Sequence, residues 1–189
     1  MYEQFYFSND SSYLDSSLLI INKAIQKCPK SDIHFILYMR KLSLLSQERK
    51  FDQMLLCLDS IGLNEKMPQY PYLHSVYRNR ILAMQYHEDG DEVSQDSCLK
   101  RIVKELSTYL EDHKNLIDSL LCNENHTSIE NSIIDFPIKQ YFFYLTMLKG
   151  KLETDSILNS LKQTEAYNQD YLEMLGCVFD DDFMVFSGI

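Results

Sequence analysis

Apolar side chains recur along most of this chain at intervals of three and four residues, the repeat that gathers them on one side of an α-helix. Leu14, Leu18, Ile21 and Ile25 follow a run of N-cap candidates, Ser8-Asn9-Asp10-Ser11-Ser12, and predict an amphipathic helix ending near Pro29. A second start at Ser31-Asp32 leads into Phe35, Tyr38, Met39, Leu42 and Leu45, up to a polar break at Ser46-Gln47-Glu48-Arg49-Lys50. Helix resumes at Phe51, with Met54, Leu55, Leu58 and Ile61 as its stripe and Gly62 as a natural left-handed cap. A turn that short leaves two helices no partner but each other, so residues 31–62 are the clearest antiparallel helical hairpin in the chain.

Beyond Met67-Pro68-Gln69-Tyr70-Pro71-Tyr72 the pattern restarts through Leu73, Val76, Tyr77, Ile81 and Met84. Glu88-Asp89-Gly90-Asp91-Glu92 reads as an acidic loop. Cys98, Leu99, Ile102, Val103, Leu106, Tyr109 and Leu110 form the next stripe, followed by a shorter helix through Leu116, Leu120 and Leu121. Residues 123–135 are polar and Asn-rich, the least helical interior stretch, and are expected to be a mobile loop. Pro137 suits the first turn of a helix running to Leu148. Gly150 marks a turn, Leu152, Ile157, Leu158 and Leu161 return, and a last helix is expected from about Ala166 to Cys177. The fold class is therefore all-α, with 189 residues fitting a single domain of stacked or bundled hairpins.

Composition agrees with this. Five Gly and four Pro are too few to punctuate an all-β fold. Five cysteines, odd in number and scattered, fit free thiols in a reducing compartment better than a disulfide framework or zinc module. No basic-then-apolar leader opens the chain and no apolar run reaches the length of a membrane span, so a cytoplasmic or nuclear protein off the membrane is expected. The net charge of −10 is uneven: residues 1–60 hold seven basic and seven acidic side chains, residues 101–189 seven and fifteen. Such a balance repels a phosphate backbone, and direct nucleic-acid binding is not expected.

Two segments carry a family likeness. Ser46-Gln47-Glu48-Arg49-Lys50-Phe51-Asp52-Gln53-Met54 resembles the turn and second-helix start of a tetratricopeptide repeat, where a Gly-Lys-aromatic-acidic-acidic-Ala run is typical. Leu148-Lys149-Gly150-Lys151-Leu152-Glu153 resembles the same element, and Ser17, Ile21, Ala24 and Pro29 fall at the family's spacing for its small, large, small and proline positions. The likeness spans about half the chain. It departs from the family in its irregular spacing, in lacking a Trp-x-x-Leu-Gly opening, and in placing Met54 where a small residue is usual. What the resemblance implies is an irregular stack of hairpins, an α-α superhelix or bundle, whose groove binds a peptide or partner subunit.

Chemistry is sparse. The histidines at 34, 74, 87, 113 and 126 show no His-Glu-x-x-His or Glu-x-x-His spacing, no Gly-x-Ser-x-Gly is present, and the isolated glycines make no phosphate loop. No enzyme, metal or cofactor is expected. Candidates for partner binding are Arg40, Lys41, Arg78 and Arg80, on the first helices of successive hairpins, which would line the concave groove of such a stack. Tyr141, Phe142 and Tyr144 belong to an aromatic run covering every side of a helix turn, either buried all round or partly a docking face. The segment 178–189 sets Asp180, Asp181 and Asp182 beside Phe183 and Phe186, and either seals its own domain or docks elsewhere. The chain is thus read as a non-enzymatic scaffold or adaptor subunit for a protein partner or peptide, with self-association open. Its alternative is an acidic inhibitor or immunity-type protein masking a basic site.

Overall fold

The computed structural model describes residues 12–27, 32–122, 129–164 and 167–177, and these are helical with no strand among them. Where length suggested one domain, the described chain gathers into two compact units, one ending at Gln85 and the other beginning at Tyr86.

The first unit holds α1 (Ser12–Lys27), α2 (Asp32–Gln47), α3 (Phe51–Asp59), the single turn α4 (Leu63–Lys66) and most of α5 (Leu73–Glu88). Successive helices pack, α1 on α2 and α2 on α3, so the hairpin expected at 31–62 is formed. Its core takes Leu14 and Leu18 from α1, Met39, Leu42 and Leu45 from α2, and Met54 and Leu58 from α3. Those residues are the ones the three-and-four spacing selected, because burial of a Leu or Met side chain stabilises by about 1.5–3 kcal/mol and dictates which side faces inward. The turn between α2 and α3 is closed by Arg49 in the left-handed region at φ 54°. Gly62 is also left-handed, at φ 65°, but it opens α4 rather than simply ending α3, with the Glu65 and Lys66 amides bonding back to its carbonyl at 3.0 and 3.1 Å.

The second unit contains α6 (Glu92–Asp112), α7 (Lys114–Cys122), α8 (Ile129–Lys149), α9 (Lys151–Lys162) and α10 (Gln169–Cys177). Helix α8 is its hub, packed against α6, α7 and α9, while α9 also holds α10. Leu99, Ile102 and Leu106 of α6 and Ile134, Ile138, Tyr144 and Leu145 of α8 are all buried.

Several boundaries differ from the sequence reading. Helix α6 starts two turns before Cys98, because Asp91 is a genuine N-cap: its Oδ1 accepts from the Ser94 amide at 3.0 Å. The acidic stretch 88–92 is thus only a tight turn, through Gly90 at φ 72°. Residues 129–135, expected within the mobile loop, are the first two turns of α8, and residues 123–128 lie outside the described residues. Pro137 accordingly sits inside α8, not in its first turn. An interior proline costs about 3 kcal/mol. Ile134 and Ile138, four residues apart and both buried, each recover a comparable amount and carry the helix past it. On α9 the inward stripe is Thr154 and Leu158, spaced by four; Leu152 lies off that stripe and is 89 % exposed. Helix α10 begins at Gln169, three residues later than expected, where Asn168 Oδ1 accepts from the Tyr171 amide at 3.0 Å.

Candidate protein-interaction surface

The residues singled out for partner binding fall into different environments. Arg40 of α2 is exposed and Lys41 half-buried. Arg78 is exposed on α5, with Nη1 3.5 Å from Asp59 Oδ1, an oxygen that also lies 3.1 Å from His74 Nε2. Together His74 and Arg78 tie α5 to α3. Arg80 is only 6 % exposed and contributes to the interior instead of a solvent-facing groove. The four cations therefore do not present one basic groove: Arg80 is withdrawn and Arg78 is engaged with a carboxylate.

The aromatic run is likewise inward. Phe142, Phe143, Tyr144, Leu145 and Thr146 are consecutive and buried, and only Tyr141 is half-exposed. Consecutive buried residues require neighbours on all sides, which α8 has in α6, α7 and α9. Phe142 and Tyr144 belong to the core and are not surface anchors. Asp180, Asp181, Asp182, Phe183 and Phe186 lie outside the described residues.

What the sequence reading passed over is on α1 and α2. Leu19 and Ile20 of α1 and Ile33 and Ile36 of α2 are each 52–57 % exposed. Scattered exposed leucines are ordinary, and Leu56, Val93 and Leu152 are of that kind. Leu19, Ile20, Ile33 and Ile36 differ in falling on two helices that pack on each other, α1 and α2. The cations follow the same sides of the helices. Lys23 is one turn from Leu19 and Ile20, Lys27 one turn further, and Arg40 lies four residues beyond Ile36. All three are exposed, and none forms an ion pair with a described residue. The signal was available in the sequence as apolar residues left over once the core stripe of each helix had been assigned.

Other polar groups are structural. Asp135 of α8 accepts from Lys139 Nζ at 2.6 Å and from the Tyr171 hydroxyl of α10 at 2.8 Å. Burial, with the Asp135 carboxylate beside it, pushes the Tyr171 hydroxyl well above the usual tyrosine range. The Cys57 thiol, pointing at the Tyr38 carbonyl at 3.8 Å, is pushed up by burial to about 12, which disfavours the thiolate. Cys98 is raised in the same direction by the same cause. Among the described residues no group of three His, Cys, Asp or Glu side chains is placed to hold a metal ion, and no helix is long and apolar enough to cross a membrane.

The molecule these observations define is an all-α protein of two helical units, with exposed aliphatic residues on α1 and α2 of the first. Comparison with protein-family models, with curated proteins and with solved structures finds no match.

Proposed function

We propose that this chain is a protein-interaction scaffold or adaptor subunit, and that its first hairpin, α1 and α2, is where a protein partner docks. The observation that carries the reading is the exposure of Leu19, Ile20, Ile33 and Ile36 on two packed helices beside three cations without an ion-pair partner among the described residues. Apolar anchors with a charged margin are the usual anatomy of a recognition surface. The tetratricopeptide-like character of the hairpins remains part of the proposal. It rests on the sequence likeness of residues 46–54 and 148–153. The working surface differs from the basic groove expected of such a stack, since Arg40 alone of the four groove cations lies on the face.

The test compares the intact chain with the double substitution Ile20→Asp and Ile36→Asp in affinity capture, with Leu152→Asp as a control at an isolated exposed leucine. Species retained by the wild type and by Leu152→Asp, but lost with the double variant at unchanged helicity, support the surface. An identical set from all three sinks it. Loss of partners only on neutralising Asp180, Asp181 and Asp182 would transfer the function to an acidic, inhibitor-type mode.

A further inference from the structure

Helices α1 and α2 pack on each other, and α2 begins at Asp32 soon after α1 ends at Lys27, so they run antiparallel. Counting outward from that join, Ile36 stands level with Lys23 and Arg40 level with Leu19. Aliphatic and cationic residues are thus interleaved along the pair, over about 12 Å from Ile33 to Arg40, or roughly two helical turns. Lys23, Lys27 and Arg40 are exposed, and none has an ion-pair partner among the described residues. Of the ways a protein surface holds a peptide, strand addition needs a sheet edge, and no strand occurs among the described residues. Proline-rich segments take aromatic-lined grooves, whereas the large exposed side chains of α1 and α2 are Leu and Ile. Phosphopeptide sites use arginine clusters, and Arg40 is the one arginine of the two helices. A helix laid along the two, with apolar anchors three and four residues apart, is the mode that remains.

We propose that α1 and α2 dock an amphipathic α-helix of a separate protein, its apolar side on Leu19, Ile20, Ile33 and Ile36 and its acidic margins against Lys23, Lys27 and Arg40. The inference rests on α1 and α2 being the interaction surface and adds the chemistry of the partner. Charge complementarity selects that partner, because carboxylates beside the apolar anchors satisfy all three cations. A second copy docking two-fold through the same residues sets those cations against one another. An anionic membrane attracts them but repels the rest of a chain of net charge −10.

The experiment uses the full chain against a displayed library of peptides about four helical turns long, with leucines at helical spacing and Glu, Gln or Lys at each marginal position. Selection is expected to enrich Glu at the margins. Binding of a selected peptide is expected to weaken as salt is raised, and to disappear with Ile20→Asp and Ile36→Asp at unchanged helicity. Lys23→Glu, Lys27→Glu and Arg40→Glu together are expected to weaken it by at least about tenfold, and exchanging the peptide's Glu for Lys to restore it. A library that yields no binder, margins enriched without regard to charge, or equal binding after the three reversals overturns the proposal. So does flotation on phosphatidylserine vesicles, or a dimer in sedimentation, that is lost with Ile20→Asp and Ile36→Asp, since the occupant is then a membrane or a second copy. If the peptides fail while those two substitutions still abolish partner capture, the acidic helix is not the occupant but the interaction surface stands. If capture is also indifferent to them, both fail together.

Discussion

Arg49 holds φ 54° in the turn between α2 and α3, a conformation in which a β-carbon crowds the following carbonyl. The left-handed region costs a residue with a β-carbon about 1–2 kcal/mol, and glycine escapes most of that while losing some unfolded-state rigidity. Arg49→Gly is accordingly expected to stabilise the chain by about 0.5–1 kcal/mol, seen as a rise of roughly 1–4 °C in the thermal midpoint. A fall in the midpoint would mean that the Arg49 side chain makes interactions worth more than the strain. Cysteine chemistry is also decided residue by residue. Cys57 is buried and its thiol stands at about 12, whereas Cys122 is exposed. With iodoacetamide at pH 8 and mass-spectrometric mapping of the native chain, Cys122 is expected to be alkylated and Cys57 to stay unmodified. Comparable rates at the two sites would contradict the burial of Cys57.

At the level of helices, the link between α8 and α10 makes a pH-dependent prediction. The Tyr171 hydroxyl donates to Asp135 and is held protonated by burial and by that carboxylate. Its folded-state value lies above the unfolded one near 10, so its contribution is complete below about pH 10 and is lost as pH rises beyond. Tyr171→Phe is expected to cost about 1 kcal/mol at neutral pH and to flatten the loss of stability above pH 10, measured by urea unfolding at stepped pH. An unchanged alkaline slope would show that Tyr171 is not the group responsible. The same level shows where sequence patterning failed. Pro137 and the polar stretch before it argue locally for a helix start, and only the burial of Ile134 and Ile138 reverses that preference. The run 88–92 reads as a loop because five polar or glycine residues carry no stripe, although Asp91 three residues before Ser94 is itself a start signal.

Across the whole molecule, exposure separates residues that hold the fold from residues available to a partner. Leu42 and Ile36 sit on the same helix, one fully buried and one more than half exposed. Leu42→Ala is expected to destabilise the chain by about 2–5 kcal/mol, and Ile36→Asp by no more than about 0.5 kcal/mol, in parallel denaturant titrations. Equal losses would mean that Ile36 is packed, and the α1–α2 face would then not be open to a partner. Charge distribution belongs to this scale too. In a chain of net charge −10, Lys23, Lys27 and Arg40 are exposed on α1 and α2 near Leu19, Ile20 and Ile36.

The sequence by itself determined that this protein is all-α, where most helices lie and which stripes turn inward, because a 3.6-residue period and the cost of wetting leucine and isoleucine are properties of each segment alone. It also determined the hairpin at 31–62, since a short polar turn leaves adjacent helices only one another to pack on. The tertiary structure decided the rest: that the chain forms two units, that α8 runs through Pro137, that Phe142, Tyr144 and Arg80 are interior, and that Leu19, Ile20, Ile33 and Ile36 are left facing water. Each of those outcomes depends on how many neighbours a helix acquires. A lone helix with one neighbour buries one stripe, while α8, with three, buries five consecutive residues.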